Sequence, residues 1–187
     1  MRIIGGKHRG AKLYTLEGID TRPTLDRVKE PLFSIIQHEV PEATVLDLFA
    51  GSGALGLEAI SRGAKEAILC DKSAKAIHII EQNVDKLQEK SNVRLLQKDY
   101  EKALEILKQE KRKFDIVFLD PPYRTNFASK AAQKIVQYEL LSQDGIIIVE
   151  TDCKEDVKAK INELGCLDIY DERKYGRANL IFMKQRM

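Results

Sequence analysis

Residues 44–56, TVLDLFAGSGALG, contain the features that decide the fold of this chain. The apolar run at 44–48 has the composition of a buried strand. A G-x-G-x-x-G pattern then runs from Gly51 to Gly56, and the apolar residues around it predict a helix over 54–62. Glycines at such a turn let a ligand approach the backbone, and the helix N-terminus offers it free N–H groups. The segment therefore predicts a nucleotide-binding turn, although several cofactor classes share this spacing.

The rest of the chain continues the same alternation of apolar runs and amphipathic segments. Predicted strands lie at 44–48, 66–70, 93–97, 114–119 and 145–150, and predicted helices at 54–62, 73–89, 101–110, 126–138 and 155–163. This spacing predicts a parallel sheet with helices on both faces. The apolar runs 167–174 and 178–184 are too close for a crossover helix, so they predict an antiparallel hairpin. The expected fold class is α/β, a Rossmann-like seven-stranded, mostly parallel sheet ending in that hairpin, a layout typical of methyltransferases.

The first 40 residues differ from this body. Short apolar pieces at 2–4 and 12–16 flank a glycine-rich basic stretch and predict a small hairpin. A helix is predicted over 25–38, and Pro31 is expected to kink it or reset its start. We therefore divide the chain into an N-terminal basic hairpin and helix, 1–40, and a main domain, 41–187.

Composition excludes several classes of protein. The 187 residues are 43% hydrophobic and 32% charged, with a net charge of +2. No apolar stretch approaches the roughly 20 residues that span a bilayer, and the N-terminus lacks a signal-peptide core, so we expect a cytoplasmic protein without membrane contact. Three scattered cysteines predict neither disulfides nor a metal site. Residues 1–30 hold seven Lys/Arg against four Asp/Glu, which fits contact with a polyanion and fits solvated surface equally well.

The strongest chemical signal is Asp120-Pro121-Pro122-Tyr123, directly after the predicted strand at 114–119. The two prolines end the strand and make the turn rigid. The carboxyl edge of an open α/β sheet is where ligands bind. A carboxylate, two fixed carbonyls and an aromatic ring at that edge suit a planar base that carries an amino group. We predict these four residues to be the catalytic ones.

Acidic residues also end the other strands at this edge. Asp47 precedes the glycine loop, where it could meet a cationic amino group, and Asp71 follows the second strand, where it could accept both ribose hydroxyls. Asp99 stands where an adenine amino group would lie, although a carboxylate before a helix is also a common cap. The hairpin and the Asp120 segment favour S-adenosylmethionine over a nicotinamide nucleotide. The predicted cofactor-binding residues are Asp47, Phe49, Ala50, Gly51, Ser52, Gly53, Asp71, Lys72, Asp99 and Tyr100.

With these residues placed, the chain resembles class I S-adenosylmethionine-dependent methyltransferases, and most closely the RsmD-type 16S rRNA (guanine-N2)-methyltransferases. The resemblance spans nearly the whole chain and is carried by four segments: RIIGGKHRG at 2–10, TRPT at 21–24 with Asp26-Arg27-Val28, DLFAGSGALGLEAISRGA at 47–64, and DPPY at 120–123. The last segment is shared with adenine-N6 and other amine methylases. The N-terminal segments therefore carry the assignment of the substrate. Asp71 stands where many relatives have glutamate.

The resemblance implies transfer of a methyl group to the N2 amine of a guanine in 16S rRNA. Its RNA-binding residues would be Arg2, Lys7, Arg9, Lys12 and Arg22, with Tyr123 stacked on a base that is unpaired or flipped out. Naked RNA and an assembled 30S particle are both open as substrates, and a monomer is the default. The alternatives are an adenine-N6 methyltransferase on DNA or RNA, a nicotinamide-dependent oxidoreductase and a non-catalytic RNA-binding module.

Overall fold

The computed structural model describes residues 1–16, 23–122 and 125–186. Within them, strands are formed by β1 Thr44–Asp47, β2 Glu66–Asp71, β3 Val93–Gln97, β4 Phe114–Leu119, β5 Leu141–Thr151, β6 Leu167–Tyr175 and β7 Ala178–Gln185. They make one sheet in the order β3-β2-β1-β4-β5-β7-β6. The pairings among β1–β5 are parallel, whereas β7 is antiparallel to both β5 and β6. The predicted α/β class, with its mostly parallel sheet and C-terminal antiparallel hairpin, is confirmed.

Helices cover both faces of this sheet. They are α1 Pro23–Ile35, α2 Ala54–Ser61, α3 Ala74–Leu87, α4 Tyr100–Gln109, α5 Phe127–Gln137 and α6 Lys154–Leu164. Successive side chains of a strand point to opposite faces, so Val45 packs with α1–α3 and Leu46 packs with α4–α6. None of the helices in the described ranges has both the length and the apolar character to cross a membrane.

Most elements differ from their predicted bounds by one or two residues, and two, β5 and α1, differ by more at one end. β5 begins at Leu141 rather than at residue 145, because Leu141 pairs with Phe114 ahead of a register shift. Polar residues follow Leu141, so the sequence pattern did not indicate a strand there. The Ser142 hydroxyl donates a hydrogen bond to the Asp115 carboxylate at 2.7 Å. Helix α1 runs through Pro31, so the prediction that this proline would reset the helix start is wrong. The flanking side chains of α1 are buried in the core, which offsets the one backbone hydrogen bond that proline removes.

The N-terminal hairpin is smaller than the one predicted from the sequence. Its arms meet at one antiparallel bridge between Arg2 and Lys12, and Ile3 and Leu13 are buried in the same core cluster as the sheet. The backbone N–H groups of Ile4 and Gly5 both donate to the Glu58 carboxylate, each at 2.8 Å.

Glu58 is the centre of a buried charge network. Its carboxylate also accepts from Lys29 Nζ at 3.1 Å and from Arg62 Nε at 2.8 Å. Cations and backbone donors together offset the cost of burying this carboxylate. The N-terminal segment is thereby fixed to α1 and α2, while the division of the chain at residue 40 stays a prediction.

Candidate functional site

The glycine loop connects β1 to α2 at the carboxyl edge of the sheet. Gly51 and Gly53 have φ angles of 57° and 80°, in the left-handed region where side chains are disfavoured. Gly56 is needed for a different reason, because a Cβ atom there would lie 2.0 Å from Leu69 Cδ2. The loop is therefore shaped by backbone conformation at its start and by close contact between α2 and β2 at its end.

Asp71, at the end of β2, and Asp99, just after β3, are half-buried, and backbone N–H groups donate hydrogen bonds to both carboxylates. Each Asp71 oxygen accepts one N–H group, from Gly51 at 3.0 Å and from Ser73 at 2.8 Å. These bonds orient the carboxylate and leave it lone pairs for further donors. Asp99 caps α4 by accepting from the Lys102 N–H at 3.0 Å, and this bond lowers the pKa of Asp99. The capping interpretation of Asp99 is thus confirmed, and a contact with adenine stays a prediction.

The acids after β1 and β4 have a different environment. Asp47 is 1% exposed and accepts one N–H group, from Gly56 at 3.1 Å. Burial raises the pKa of Asp47 to about 7, and the negative charge of Asp71 adds to the shift. Asp120 is partly accessible from the cavity described next, but it lies far enough inside the protein that burial raises its pKa well above the usual value. Glu150 and Asp47 raise the pKa of Asp120 further.

One cavity of about 670 Å³ lies at this edge. The predicted site residues in its lining are Phe49, Gly51, Asp71, Lys72, Asp99, Tyr100, Asp120, Pro121 and Pro122. Residues that are 73 positions apart in the chain, Phe49 and Pro122, therefore face the same space. The cavity joins the glycine loop, the acids after β2 and β3, and the turn after β4.

Four of the predicted cofactor-binding residues, Asp47, Ala50, Ser52 and Gly53, are not part of the cavity lining. Asp47 is bonded to the backbone of α2, as described above. Ala50 donates its N–H to the Cys70 carbonyl at 2.8 Å, and the Gly53 N–H donates to the Ala50 carbonyl at 2.7 Å. The Ser52 carbonyl accepts from a side chain of α3. These residues support the shape of the loop, and their direct contact with a cofactor stays a prediction. The predicted catalytic Tyr123 lies outside the described residues.

Part of the cavity wall is formed by residues that were not predicted from the sequence. The additional lining residues are Leu48, Lys98, Glu101, Phe127 and Lys130. Phe127, at the start of α5, stacks parallel to Phe49 with ring centroids 6.5 Å apart, and its centroid lies 5.2 Å from that of Tyr100. Three aromatic rings thus form an apolar wall suited to a flat base. Lys98 could have been found from its place beside Asp99, whereas Phe127 has no comparable local signal.

The predicted RNA-binding residues of the N-terminal segment are exposed. Arg2, Lys7, Arg9 and Lys12 all lie on the surface, and Lys7 Nζ forms an ion pair with Glu89 Oε1 at 2.7 Å. Arg22 lies outside the described residues. The structure therefore displays four of the five predicted basic side chains to solvent, and their contact with RNA stays a prediction.

A family model described as "Conserved hypothetical protein 95" matches residues 1–184. The chain is 34% identical over 186 residues to "Putative rRNA methyltransferase YlbH" of Bacillus subtilis (strain 168), and the match covers 100% of both chains. It is 37% identical to "Ribosomal RNA small subunit methyltransferase D" of Haemophilus influenzae, with 81% of this chain and 79% of that protein covered.

Solved structures show the same architecture. The fold is similar to that described as "Putative methyltransferase yhhF from Escherichia coli", with a TM-score of 0.83 and 32% identity. That similarity covers 99% of this chain and 97% of the other. The similarity thus extends over nearly the whole of both chains.

Proposed function

Because the chain belongs to the family that includes the ribosomal RNA small subunit methyltransferases D, we propose that it methylates small-subunit ribosomal RNA with S-adenosylmethionine as donor. We further propose that the acceptor is the exocyclic N2 amine of a guanine in 16S rRNA. The protein would act in the cytoplasm, where ribosomal subunits are built, and as a monomer. One observation carries the chemical part of this proposal: Asp120 and Pro121 line the same cavity as Asp71 and the glycine loop.

The cavity residues fit the methyl donor. The Asp71 carboxylate, already oriented by two backbone donors, would accept the ribose hydroxyls. The wall formed by Phe49, Tyr100 and Phe127 would contact the adenine ring, with Asp99 as the acceptor for its amino group. When bound, the donor supplies an electrophilic methyl group on a positively charged sulfur. That charge is compatible with a cavity edged by carboxylates.

Asp120 and Pro121 would orient the acceptor amine. The lone pair of guanine N2 is delocalised into the ring, so the nitrogen is a weak nucleophile. The Asp120 carboxylate would accept one N2 hydrogen and the Pro121 carbonyl the other, which turns the lone pair toward the methyl carbon. The nitrogen–carbon bond forms as the carbon–sulfur bond breaks, and sulfur retains the electron pair. The proton lost by nitrogen passes to Asp120 or to water.

The substrate base must leave its helix to reach this cavity. An unpaired or flipped base meets the requirement, and Tyr123 would stack on it with a contribution of about 1–3 kcal/mol. The exposed cations Arg2, Lys7, Arg9 and Lys12 would contact phosphates of the RNA, together with Arg22. Because such contacts release counterions, RNA affinity should fall steeply with added salt. A flat salt dependence would argue against these phosphate contacts.

The proposal is tested by methylation with isotope-labelled S-adenosylmethionine. Unmodified 16S rRNA and 30S particles that lack the modification are each incubated with the protein, and the digested nucleosides are identified by mass spectrometry. We expect N2-methylguanosine at one site, and Asp120→Asn should strongly slow its formation. N6-methyladenosine would instead establish the adenine-N6 alternative.

Two binding measurements complete the test. S-adenosylhomocysteine should bind in calorimetric titration and NAD should not, which separates this proposal from an oxidoreductase. RNA binding without any methyl transfer would favour the non-catalytic binding module. A protein that binds neither S-adenosylhomocysteine nor ribosomal RNA would refute the proposal.

A further inference from the structure

Tyr14 is an exposed aromatic side chain that the site described above does not use. Within the described residues, two large hydrophobic side chains are strongly exposed, Tyr14 at 50% and Tyr170 at 46%. Tyr14 lies in the N-terminal segment, next to the glycine loop, whereas Tyr170 lies on the edge strand β6 at the far side of the sheet. Stacking on a partner removes an exposed ring from water, and the charged groups around the ring decide which partner it can bind.

The backbone of Tyr14 is fixed although its ring is exposed. Its N–H donates to Asn83 Oδ1 at 2.7 Å, and its carbonyl accepts from Asn83 Nδ2 at 3.0 Å. Asn83 is fully buried, and its Nδ2 also donates to the Ser52 carbonyl at 3.0 Å. One side-chain amide thus joins the segment around Tyr14 to the glycine loop. A ring held in this way loses little conformational freedom when it binds.

The charges around this ring are suited to a polyanion. Lys86 Nζ lies 4.7 Å from the ring centroid, over one face of the ring, and the Lys86 side chain is exposed. Lys12, two residues before Tyr14, is also exposed, whereas Leu13 between them is buried. The nearby Asp85 carboxylate is paired with Lys90 at 2.8 Å. An exposed aromatic ring accompanied by exposed lysines is the arrangement with which proteins bind single-stranded nucleic acids, through base stacking and phosphate contacts.

We propose that Tyr14, with Lys86 and Lys12, is a stacking site for an unpaired base of the ribosomal RNA substrate, separate from the base that is methylated. This inference rests on the proposed function, because it takes RNA as the partner. The base would stack on Tyr14, and the two lysines would contact the adjoining phosphates. Because Asn83 connects Tyr14 to the glycine loop, the site lies at a fixed position relative to the cofactor cavity and would help to set which nucleotide reaches it.

A fluorescent reporter tests the stacking directly. The chain contains no tryptophan, so Tyr14→Trp introduces a single indole at the site. Tyr170→Trp is the matched control, because Tyr170 has similar exposure and also has a lysine, Lys184, at 5.2 Å from its ring centroid. Both variants are titrated with a short single-stranded adenine-rich RNA and with a duplex of the same length. We expect quenching in Tyr14→Trp with the single strand, and little change with the duplex or in Tyr170→Trp.

Kinetics then separate this site from the catalytic one. Tyr14→Ala should raise the KM for 16S rRNA roughly tenfold, the loss of about one stacking contact, with kcat and the affinity for S-adenosylhomocysteine unchanged. Tyr14→Phe should retain the wild-type KM, and Tyr170→Ala should have no effect. If a ribosomal protein rather than RNA contacts Tyr14, the KM would rise for 30S particles and not for naked RNA, which would overturn the inference.

Failure of this inference differs from failure of the proposed function. If the wild-type protein methylates 16S rRNA while Tyr14→Ala does so with an unchanged KM and Tyr14→Trp is not quenched, only the stacking site is refuted. If the wild-type protein methylates no ribosomal RNA but Tyr14→Trp is quenched by single strands, the proposed function fails, and Tyr14 stays a stacking site for single strands without its assignment to a ribosomal RNA substrate. Equal quenching at both tryptophan positions would also refute the stacking site.

Discussion

The acids at the carboxyl edge of the sheet form two groups with different surroundings. The outer pair, Asp71 and Asp99, follows the strands nearest one edge, and backbone N–H groups hold both carboxylates. The central pair, Asp47 and Asp120, follows two interior strands, and burial raises the pKa of both. Burial thus characterises the central pair, and backbone hydrogen bonds characterise the outer pair.

This difference indicates a division of tasks. Backbone donors orient the carboxylates of the outer pair, which keep lone pairs to accept hydroxyl and amino groups. The central pair is more deeply buried, and the negative charge of Asp47 disfavours the ionised form of Asp120. A positive charge in the cavity would stabilise the ionised forms of Asp47 and Asp120. We therefore expect the outer pair to affect binding of the donor and Asp120 to affect the chemistry.

The largest effect should come from Asp120→Asn. We expect kcat to fall by about 10²–10³-fold, because the neutral amide oxygen accepts the amine hydrogen more weakly than a carboxylate and does not offset the positive charge that builds on nitrogen. Single-turnover methylation of 16S rRNA measures this loss, and calorimetry should show nearly unchanged binding of S-adenosylhomocysteine. A near wild-type rate would remove Asp120 from the chemistry and end the distinction between the two pairs.

Asp47→Asn tests the cost of charge in the central pair. The native pKa of Asp47, about 7, lies above the ordinary value of 3.8. Its contribution to stability is therefore complete below about pH 4 and is lost as the pH rises through about 7. The amide resembles the protonated form and keeps an oxygen for the Gly56 N–H group.

The variant should consequently gain stability over the wild type as the pH rises. Urea unfolding should show an advantage for Asp47→Asn that is about 2–3 kcal/mol larger at about pH 8 than at about pH 5. Asp71→Asn is the control, because Asp71 lies at the same edge of the sheet but is partly exposed in the cavity wall. An advantage that is the same at both pH values would show that Asp47 is not titrating in this range.

Asp71→Ala should show the opposite division between binding and chemistry from Asp120→Asn. Loss of charge-assisted hydrogen bonds of about 1.5–3 kcal/mol should weaken S-adenosylhomocysteine binding by about 10–150-fold, with a much smaller change in kcat at saturating donor. Asp71→Glu retains the carboxylate and should preserve most of the affinity. A fall in kcat with unchanged affinity would contradict the assignment of the outer pair to binding.

Much of this arrangement could be predicted because its signals are local. The bounds of β3 and β4 match the predicted ranges, since each is a short apolar run between polar turns. The same strand ends identified Asp71, Asp99 and Asp120 as neighbours, because parallel strands place their carboxyl ends at one edge.

The parts that could not be predicted depend on contacts between distant segments. Phe127 joins Phe49 because α5 returns across the sheet after β4, and the sequence around Phe127 does not indicate its partner. Asn83 lies on an otherwise apolar face of α3, and its partner Tyr14 is 69 residues away. The raised pKa values of Asp47 and Asp120 also depend on burial, which residue type alone does not reveal.

The smallest effect should come from Asp99, where two roles overlap. Asp99→Ala removes the cap of α4 and should lower the free energy of unfolding by about 1 kcal/mol. Asp99→Ser keeps a capping oxygen but removes the carboxylate, so urea unfolding should show nearly wild-type stability. If Asp99 also accepts the adenine amino group, both variants should bind S-adenosylhomocysteine several-fold more weakly than the wild type. If capping is its whole role, Asp99→Ser should match the wild type in both measurements, and Asp71 alone would represent the outer pair in donor binding.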